Sequence, residues 1–498
     1  MKFKREIFMS ILILTIGISL TLPFIIRKMV LNNSTTPCEN CNVILITFDT
    51  LRADHLGVYG YTRNTSPNID KLAKRSYVFT NALSQAGETR LSVPSFITSK
   101  LPLSDNILDL KYNNYVYISS LHQNETTIAE ILSENNYNTY AVMGYSVMLN
   151  PKTGVAQGFK DFEYDCSNNP HTYNICPPDW VTLKAIKILE QNITNKPFFL
   201  WVYYFQPHAP YNPPLRIFQK FSSNQEYSDK DQNLPVNYDK KIGMLLEENA
   251  SKKKNSPIYF LSGAGEFKYL HLNESDIQWF INAYDGNINY ADEQFGRLLM
   301  YLEESGLLNN TIIIINSDHG EMLGDNYNIG HGGLKYSVLH VPIIVYVPGR
   351  KGGKIAEPVT NADIMPTILS LLEIKTDLKM IGKNLFEIKE KRVQIAEAPN
   401  SFTVVYKNWK ILSYYSSFNE IEENCSKNDR VFDILKDPQE KNGKWQNDEQ
   451  KEIICNTLKK EYFKIITNRN EQVEVTDDTS INLDTATIEK LKSLGYAN

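Results

Sequence analysis

Apolar residues in this chain gather into short unbroken runs, separated by stretches where apolar and polar positions alternate with helical spacing. The runs "VILITF" (43–48), "TYAVM" (139–143), "FFLWVYYF" (198–205), "TIIIIN" (311–316) and "VPIIVYV" (341–347) are rich in β-branched and aromatic residues and are short for helices. They predict strands buried on both faces. Between them, Asp70–Ser76 and Asp292–Glu304 read as amphipathic helices. Unbroken apolar strands alternating with helices predict an α/β fold with a mostly parallel central sheet flanked by helices, over residues 42–390. Residues 219–256 are polar and rich in Lys, Asn and Ser, and read as a surface insertion in that domain. From about residue 391 the pattern changes to "VVYKNWKILSYY" and then to a charged helix, which predicts a smaller C-terminal α+β subdomain over 391–498. No internal repeat is visible.

The N-terminus adds a location. Ile7–Ile26 is almost continuously apolar and follows Lys2, Lys4 and Arg5, and a bilayer-crossing helix needs about 20 such residues. With no small-x-small cleavage site after it, residues 1–30 predict an uncleaved signal anchor and 31–41 a linker. The domain then lies outside the cytoplasm, periplasmic or extracellular, held to the membrane by the N-terminal helix; a cleaved signal peptide is the alternative. The cysteines pair as sequence neighbours, Cys38/Cys41, Cys166/Cys176 and Cys425/Cys455, which in that compartment predicts three local disulfides. A zinc site at Cys38-x-x-Cys41 lacks a second ligand pair nearby. The net charge of −5 leaves no basic stripe, so no nucleic-acid partner is expected.

Three of the apolar runs end in residues that can hold a ligand. "VILITF" leads to Asp49, "FFLWVYYF" to Gln206-Pro207-His208, and "TIIIIN" to Ser317-Asp318-His319-Gly320-Glu321. Ligands bind beyond the carboxyl ends of strands in such sheets. Asp49, Asp318 and His319 form an O,O,N set suited to one divalent metal ion, with Ca, Mn and Zn not distinguished.

The stretches "NVILITFDTLRADHLGVYGY", "SPNIDKLAKRSYVFTNALSQAGETRLSVPSFITSKLP" and "YDGNINYADEQFGRLLMYLEESGLLNNTIIIINSDHGEMLGD", with "VFDILKDPQEKN" and the terminal "LKSLGYAN", resemble the sulfatase branch of the alkaline-phosphatase superfamily from about residue 42 to the end. The resemblance implies an α/β sandwich with a small C-terminal subdomain, and one metal bound by Asp49, Asp318, His319 and a nucleophile at a helix N-terminus. Two registers compete for that nucleophile. Counting back from "TSKLP" selects Thr89, whereas matching "SVPS" to the family's C-x-P-S selects Ser92 and leaves three residues missing before Thr98. A helix cannot lose three residues without rotating its buried face by most of a turn, which favours Thr89.

The choice matters because family sulfatases oxidise Cys or Ser to formylglycine. Threonine carries a methyl on its carbinol carbon and cannot give that aldehyde. Neither register preserves the family's C-x-P-x-R, and Arg90 is nearby but shifted. "GYS" (144–146) stands where many relatives carry a G-K-x-H-like clamp, and Thr50 stands where many carry a second metal-binding aspartate. "QPHAPY" (206–211) resembles the segment that puts a histidine, here His208, beside the substrate. It lacks the D-x-x-x-H of two-metal relatives, which implies one metal. His331 is implied to contact non-bridging oxygens or protonate the leaving group, with Lys335 as a further candidate. His55, His122, His171, His271 and His340 carry no such context and read as structural or surface residues. The implied function is a membrane-anchored, metal-dependent hydrolase of phosphate or sulfate esters working through a covalent intermediate on Thr89 or Ser92. A transferase moving a phospho-headgroup onto a lipid or glycan, and a catalytically inactive binding protein of the same fold, are the alternatives.

Overall fold

Every residue of the strand Asn42–Asp49 (β1) is buried, and its side chains alternate between two cores. Ile44, Ile46 and Phe48 enter one apolar cluster, and Val43 and Leu45 enter another on the opposite face, as the two-residue strand period requires. The computed structural model describes residues 38–470 except 39, 114–115, 146–147, 167–174, 193–195, 223–234, 252–256, 264–265, 389–391, 416–420 and 447. The apolar segment Ile7–Ile26, Ser146, His171 and the terminal "LKSLGYAN" lie outside the described residues. Among the described residues no helix is long and apolar enough to cross a membrane.

Seven further strands join β1: Tyr77–Phe79 (β2), Asn138–Met143 (β3), Asp161–Glu163 (β4), Phe198–Pro207 (β5), Thr311–Ser317 (β6), Ile343–Tyr346 (β7) and Gly353–Ile355 (β8). Their spatial order is β8-β2-β7-β6-β1-β5-β3-β4. All neighbours run parallel except β7, which is antiparallel to both β6 and β2. The reason lies in residues 318–342. A parallel return needs a crossover, usually a helix, that carries the chain back along the sheet. Here the chain stays at the carboxyl end of β6, forming two short strands and the four-residue helix Tyr336–Leu339. It therefore joins the sheet again from that end.

The helices that matter below are Pro67–Ala73 (α1), Thr89–Thr98 (α2), Pro178–Asn192 (α3), Tyr238–Ser251 (α4), Glu274–Glu304 (α5), Ile364–Leu371 (α6) and Glu449–Asn470 (α7). α1, α3 and α5 cover one face of the sheet, α2 and α6 the other. α5 starts with a capping box: the Asn273 side chain accepts from the Asp276 amide at 3.0 Å, and the Asn273 amide donates to Asp276 at 3.1 Å. α2 contains Pro94, whose missing N–H leaves the Arg90 carbonyl without its helical donor. The Ser119 hydroxyl donates to that carbonyl at 3.0 Å. In the 219–256 stretch, the described part includes α4, and Val236, Tyr238, Ile242 and Leu245 reach into the main core.

Four antiparallel strands, Gln394–Ala398, Ser401–Tyr406, Trp409–Tyr414 and Arg430–Asp433, form a separate sheet backed by α7. Phe402 stacks on Tyr462 of α7 with ring centroids 3.8 Å apart. This unit is tied to the loop after α2 through Glu397, which accepts from the amides of Leu103 (2.9 Å) and Ser104 (3.0 Å) and from the Tyr462 hydroxyl (3.0 Å). The cysteines form the three local disulfides Cys38–Cys41, Cys166–Cys176 and Cys425–Cys455, so Cys38-x-x-Cys41 is no zinc site.

Candidate active site

β1 and β6 run parallel and in register, with Phe48 beside Ser317, so the residues that follow, Asp49 and Asp318, emerge side by side. His319 comes next. One ligand atom from each of Asp49, Asp318 and His319 lies within 4.8 Å of the others. His319 Nε2 is 3.8 Å from Asp49 Oδ1 and 3.6 Å from Asp318 Oδ2, and all three side chains are wholly buried. Among the described residues no donor lies within hydrogen-bond distance of either carboxylate oxygen of Asp49, although the Tyr203 hydroxyl is near enough to oppose the rise in its pKa. Burial, and then the charge of Asp318, push the Asp49 carboxyl well above the usual range. Burial pushes Asp318 up to about 6, although hydrogen bonds from Tyr203, Thr89 and the Thr50 and His319 amides act in the other direction.

Two buried carboxylates side by side with orphaned oxygens are costly unless a cation compensates them. The donor set fits that cation. His319 Nδ1 lies 2.9 Å from the Gly320 carbonyl, which only accepts, so Nδ1 carries the proton and Nε2 presents its lone pair to the carboxylates. Burial and the neighbouring His331 lower the His319 pKa and keep the ring neutral.

Thr89 is the first residue of α2, so its hydroxyl sits at the positive end of the helix. Its Oγ1 is 3.3 Å from His319 Nε2. Ser92 Oγ is buried without a hydrogen-bond partner, and among the described residues no contact joins it to the cluster. Arg90 follows Thr89, with its guanidinium 3.5 Å from Glu88.

Two residues around the cluster carry roles that the sequence did not reveal. Tyr203 of β5 donates its hydroxyl to Asp318 Oδ2 at 2.9 Å. In the sequence it is one more aromatic in a core strand. Its phase was the usable signal: Trp201 and Tyr203 face the same side as α2, one step before the polar end of the run. Thr50 adopts φ +58°, in the left-handed region that disfavours β-branched residues. It is held there by its amide donating to Asp318 Oδ1 (3.2 Å) and its carbonyl accepting from the Tyr284 hydroxyl (2.7 Å). In place of a second carboxylate, this position lends its backbone to Asp318.

Opposite the cluster stand His331 and His208. The rings of His319 and His331 are 4.8 Å apart by centroid, and those of His331 and His208 are 4.7 Å apart. His208 lies between two cis prolyl bonds, Gln206–Pro207 and Ala209–Pro210. Its Nδ1 donates to the Ala209 carbonyl, and burial followed by His331 lowers its pKa, so it is neutral with Nε2 as acceptor. His331 differs. Burial opposes its charge, but Glu321, 3.2 Å from its Nδ1, together with Asp318 and Glu88, outweighs burial and raises its pKa. The "SDHGE" motif thus supplies two groups that could hold a metal and, three residues after Asp318, the carboxylate that raises the His331 pKa.

Lys335 is not brought to this cluster. Its ammonium engages Glu440 of the C-terminal part, 3.8 Å from Oε2 and 3.4 Å from the carbonyl. His55 is buried against Asp285 at 2.7 Å, His340 stacks on Tyr336, His122 pairs with Asp109 and His271 ends a strand, all away from the cluster.

Arg52 braces the loop carrying Asp49 against the loop carrying Asp318. Its guanidinium binds Asp54 at 2.9 and 2.7 Å, Asp325 at 2.8 Å and the Glu321 carbonyl at 3.0 Å. Arg52→Ala is expected to lower unfolding stability by about 2 kcal/mol in urea melts, because it strands the buried Glu321 carbonyl and the largely covered Asp325 carboxylate, whereas Asp54 is exposed to water. Arg52→Lys, which loses the fork, is expected to recover less than half of that. Equal stability of the three proteins would remove this bracing role.

The sulfatase family profile matches residues 41–374. An arylsulfatase of Clostridium perfringens is 28% identical over 494 residues, covering 86% of this chain and 95% of that protein. Human iduronate 2-sulfatase is 32% identical over 361 residues, covering 64% of this chain and 61% of that protein. Among solved structures, BT4656 in complex with its substrate D-glucosamine-2-N,6-O-disulfate superposes with a TM-score of 0.66 at 18% identity, over 87% of this chain and 99% of that one. The phosphonate monoester hydrolase of Agrobacterium radiobacter superposes with a TM-score of 0.64 at 19% identity, over 88% and 98%. The profile spans most of the chain, including β1, the start of α2 and the Asp318–His319 pair; the chain belongs to the sulfatase family and is an ester hydrolase with the alkaline-phosphatase-like fold.

Proposed function

We propose that this hydrolase cleaves phosphate or sulfate monoesters through a covalent intermediate on Thr89, with one divalent cation held by Asp49, Asp318, His319 and Thr89. The Ile7–Ile26 segment would hold it to a membrane with its site outside the cytoplasm. The observation that carries the reading is the Thr89 hydroxyl, 3.3 Å from His319 Nε2 at the N-terminus of α2.

A cation bound there would supply the charge that favours the alkoxide of Thr89 and would offset the non-bridging oxygens of the ester. Thr89 Oγ1, its proton released to solvent, forms the bond to phosphorus or sulfur as the ester oxygen departs on the opposite side, and it takes a proton back when water cleaves the intermediate. His331, charged through Glu321, gives its proton to that departing oxygen. His208, neutral and with Nε2 as acceptor, takes a proton from the water that cleaves the threonine ester in the second step.

The names of the arylsulfatase and iduronate 2-sulfatase relatives support a sulfate ester. The threonine supports phosphorus. Without an aldehyde hydrate to collapse, release depends on in-line attack by water on the intermediate. The two are separated by measuring kcat/KM side by side for 4-nitrophenyl phosphate, a phenylphosphonate ester and 4-nitrophenyl sulfate. Faster turnover of the phosphorus esters, abolished by a chelator, is the expected result. Sulfate turnover alone, with Ser92 converted to an aldehyde, would overturn the Thr89 mechanism. No turnover of any ester would favour the transferase or the binding protein.

A further inference from the structure

A cavity of about 860 Å³ lies between the loop after β1, α1 and the turn into β8. Along the strands and across three of them, it is about 20 Å from Asp49 by strand rise and spacing, since Tyr77 sits level with Val345 and Val345 with Ile314. Lys71, Lys74, Lys351, Lys354 and Arg63 line it against a single acid, Asp70.

Much of that charge is not spent inside the protein. Arg63 is committed to Asp285 (2.5 Å), and Lys354 donates to the Val58 carbonyl (2.8 Å). Lys71 reaches Glu303 only at 3.4 Å and shares it with Arg75. Asp70 accepts the Val58 amide at 2.8 Å. Lys74 and Lys351 are exposed and make no salt bridge among the described residues; the charge of Lys74 acts on Asp70, its neighbour one helical turn back, and Lys351 faces no acid of the lining.

The backbone brings these two lysines together. Gly352 has φ +71°, and a Cβ on it would lie 2.2 Å from the Ser76 carbonyl; the Gly353 amide donates to the same carbonyl at 3.0 Å. Only glycine permits that approach. It holds the turn carrying Lys351 against the segment that carries Lys74.

We propose that this cavity is a second ligand site that binds the sulfate or phosphate groups of an anionic saccharide chain. Concave walls lined by one sign of charge focus the field on an anion. Thr62 and Asn64 are exposed and offer a hydroxyl and an amide that can hydrogen-bond to a sugar, while Tyr61, packed beside His55 with its hydroxyl on Asp285, forms part of the wall. A lipid surface would be met by inserted large apolar side chains, and among the described residues none of the exposed large hydrophobic ones lines this cavity. The choice of a saccharide bearing ester groups rests on the hydrolase reading; the charge geometry does not.

The test is calorimetric titration of the full chain and its K74E/K351E variant with a heparin hexasaccharide, alongside pelleting with phosphatidylcholine–phosphatidylglycerol vesicles and turnover of a small aryl ester. Both lysines are exposed, so the variant keeps its core. The expected result is hexasaccharide affinity weakened about tenfold or more with a shallower salt dependence, and small-ester turnover unchanged. Equal affinity in both proteins, no saccharide binding by the parent chain, or loss confined to the vesicles would overturn the proposal. Saccharide binding lost in the variant of a chain that turns over no ester would support this site and count against the hydrolase reading.

Discussion

Thr89→Ala is expected to lower kcat by about 10⁴-fold or more, the scale on which removing a covalent nucleophile acts. Its melting temperature should stay close to that of the parent. Glu88 holds the N-cap position without a side-chain cap bond and the Thr89 hydroxyl points to His319, so losing that hydroxyl removes no cap and leaves the buried face of α2 intact. Peptide mass spectrometry after brief exposure to substrate should find the transferred group on Thr89 in the parent and nowhere in the variant. Thr89→Ser keeps a hydroxyl at the same helix terminus and should retain at least about a tenth of the activity. Ser92→Ala should be close to neutral for both activity and stability, because the hydroxyl it removes is buried without a partner. The opposite pattern, with Ser92→Ala dead and Thr89→Ala active, would transfer the nucleophile to Ser92.

The second large effect concerns Asp49, and its two consequences have opposite signs. Asp49→Asn should abolish stoichiometric metal uptake, because it removes one of the two carboxylates facing His319. In the metal-free protein the same substitution should raise the melting temperature, since it neutralises one of two buried acids that lack a countercharge. The parent should gain about 2.7 kcal/mol from a metal supplied at 100 times its Kd, and the variant nothing. A pH dependence follows. The Asp318 carboxyl is raised to about 6 in the fold, above its unfolded value, so the metal-free protein loses stability as pH rises through that region. Metal binding, which needs the carboxylate, strengthens over the same interval. Thermal melts from pH 4.5 to 8, with chelator or with Ca, Mn or Zn, test both statements. Equal metal content in Asp49→Asn and the parent would remove Asp49 from the ligand set.

The strands and their terminal chemistry were legible because both depend on local composition. β1, β3, β5, β6 and β7 each match an apolar run read from the sequence to within two residues at either end. Asp49, Asp318 and His319 were identified as a group because each follows such a run, and the in-register pairing of β1 with β6 brings them together. The direction of β7 was not legible. Its apolar pattern is that of any buried strand, and its antiparallel course is decided by the 318–342 segment staying at one end of the sheet. Tyr203 was hidden for a related reason. Alternation tells which face a residue takes, but not that Asp318 lies on that face within reach of its hydroxyl. Lys335 follows His331 closely in sequence, yet its ammonium is claimed by Glu440, over 100 residues later, through a long-range contact that no local pattern announces.

The pairing of β1 with β6 also sets a clock. Thr47 bonds Asn316 across a separation of 269 residues. At ribosomal rates of about 5–20 residues per second, β1 emerges roughly 15–50 s before that neighbour. β5, its partner on the other side, ends at Pro207 and arrives earlier. Until β5 arrives "NVILITF" is unpaired, and until β6 arrives one of its edges stays open; it is a strand of high β propensity without charge, the kind of segment that associates with other nascent chains. The feature that places Asp49 beside Asp318 therefore leaves one edge of the first strand open longest during synthesis. Yield in cells should rise with chaperone supply.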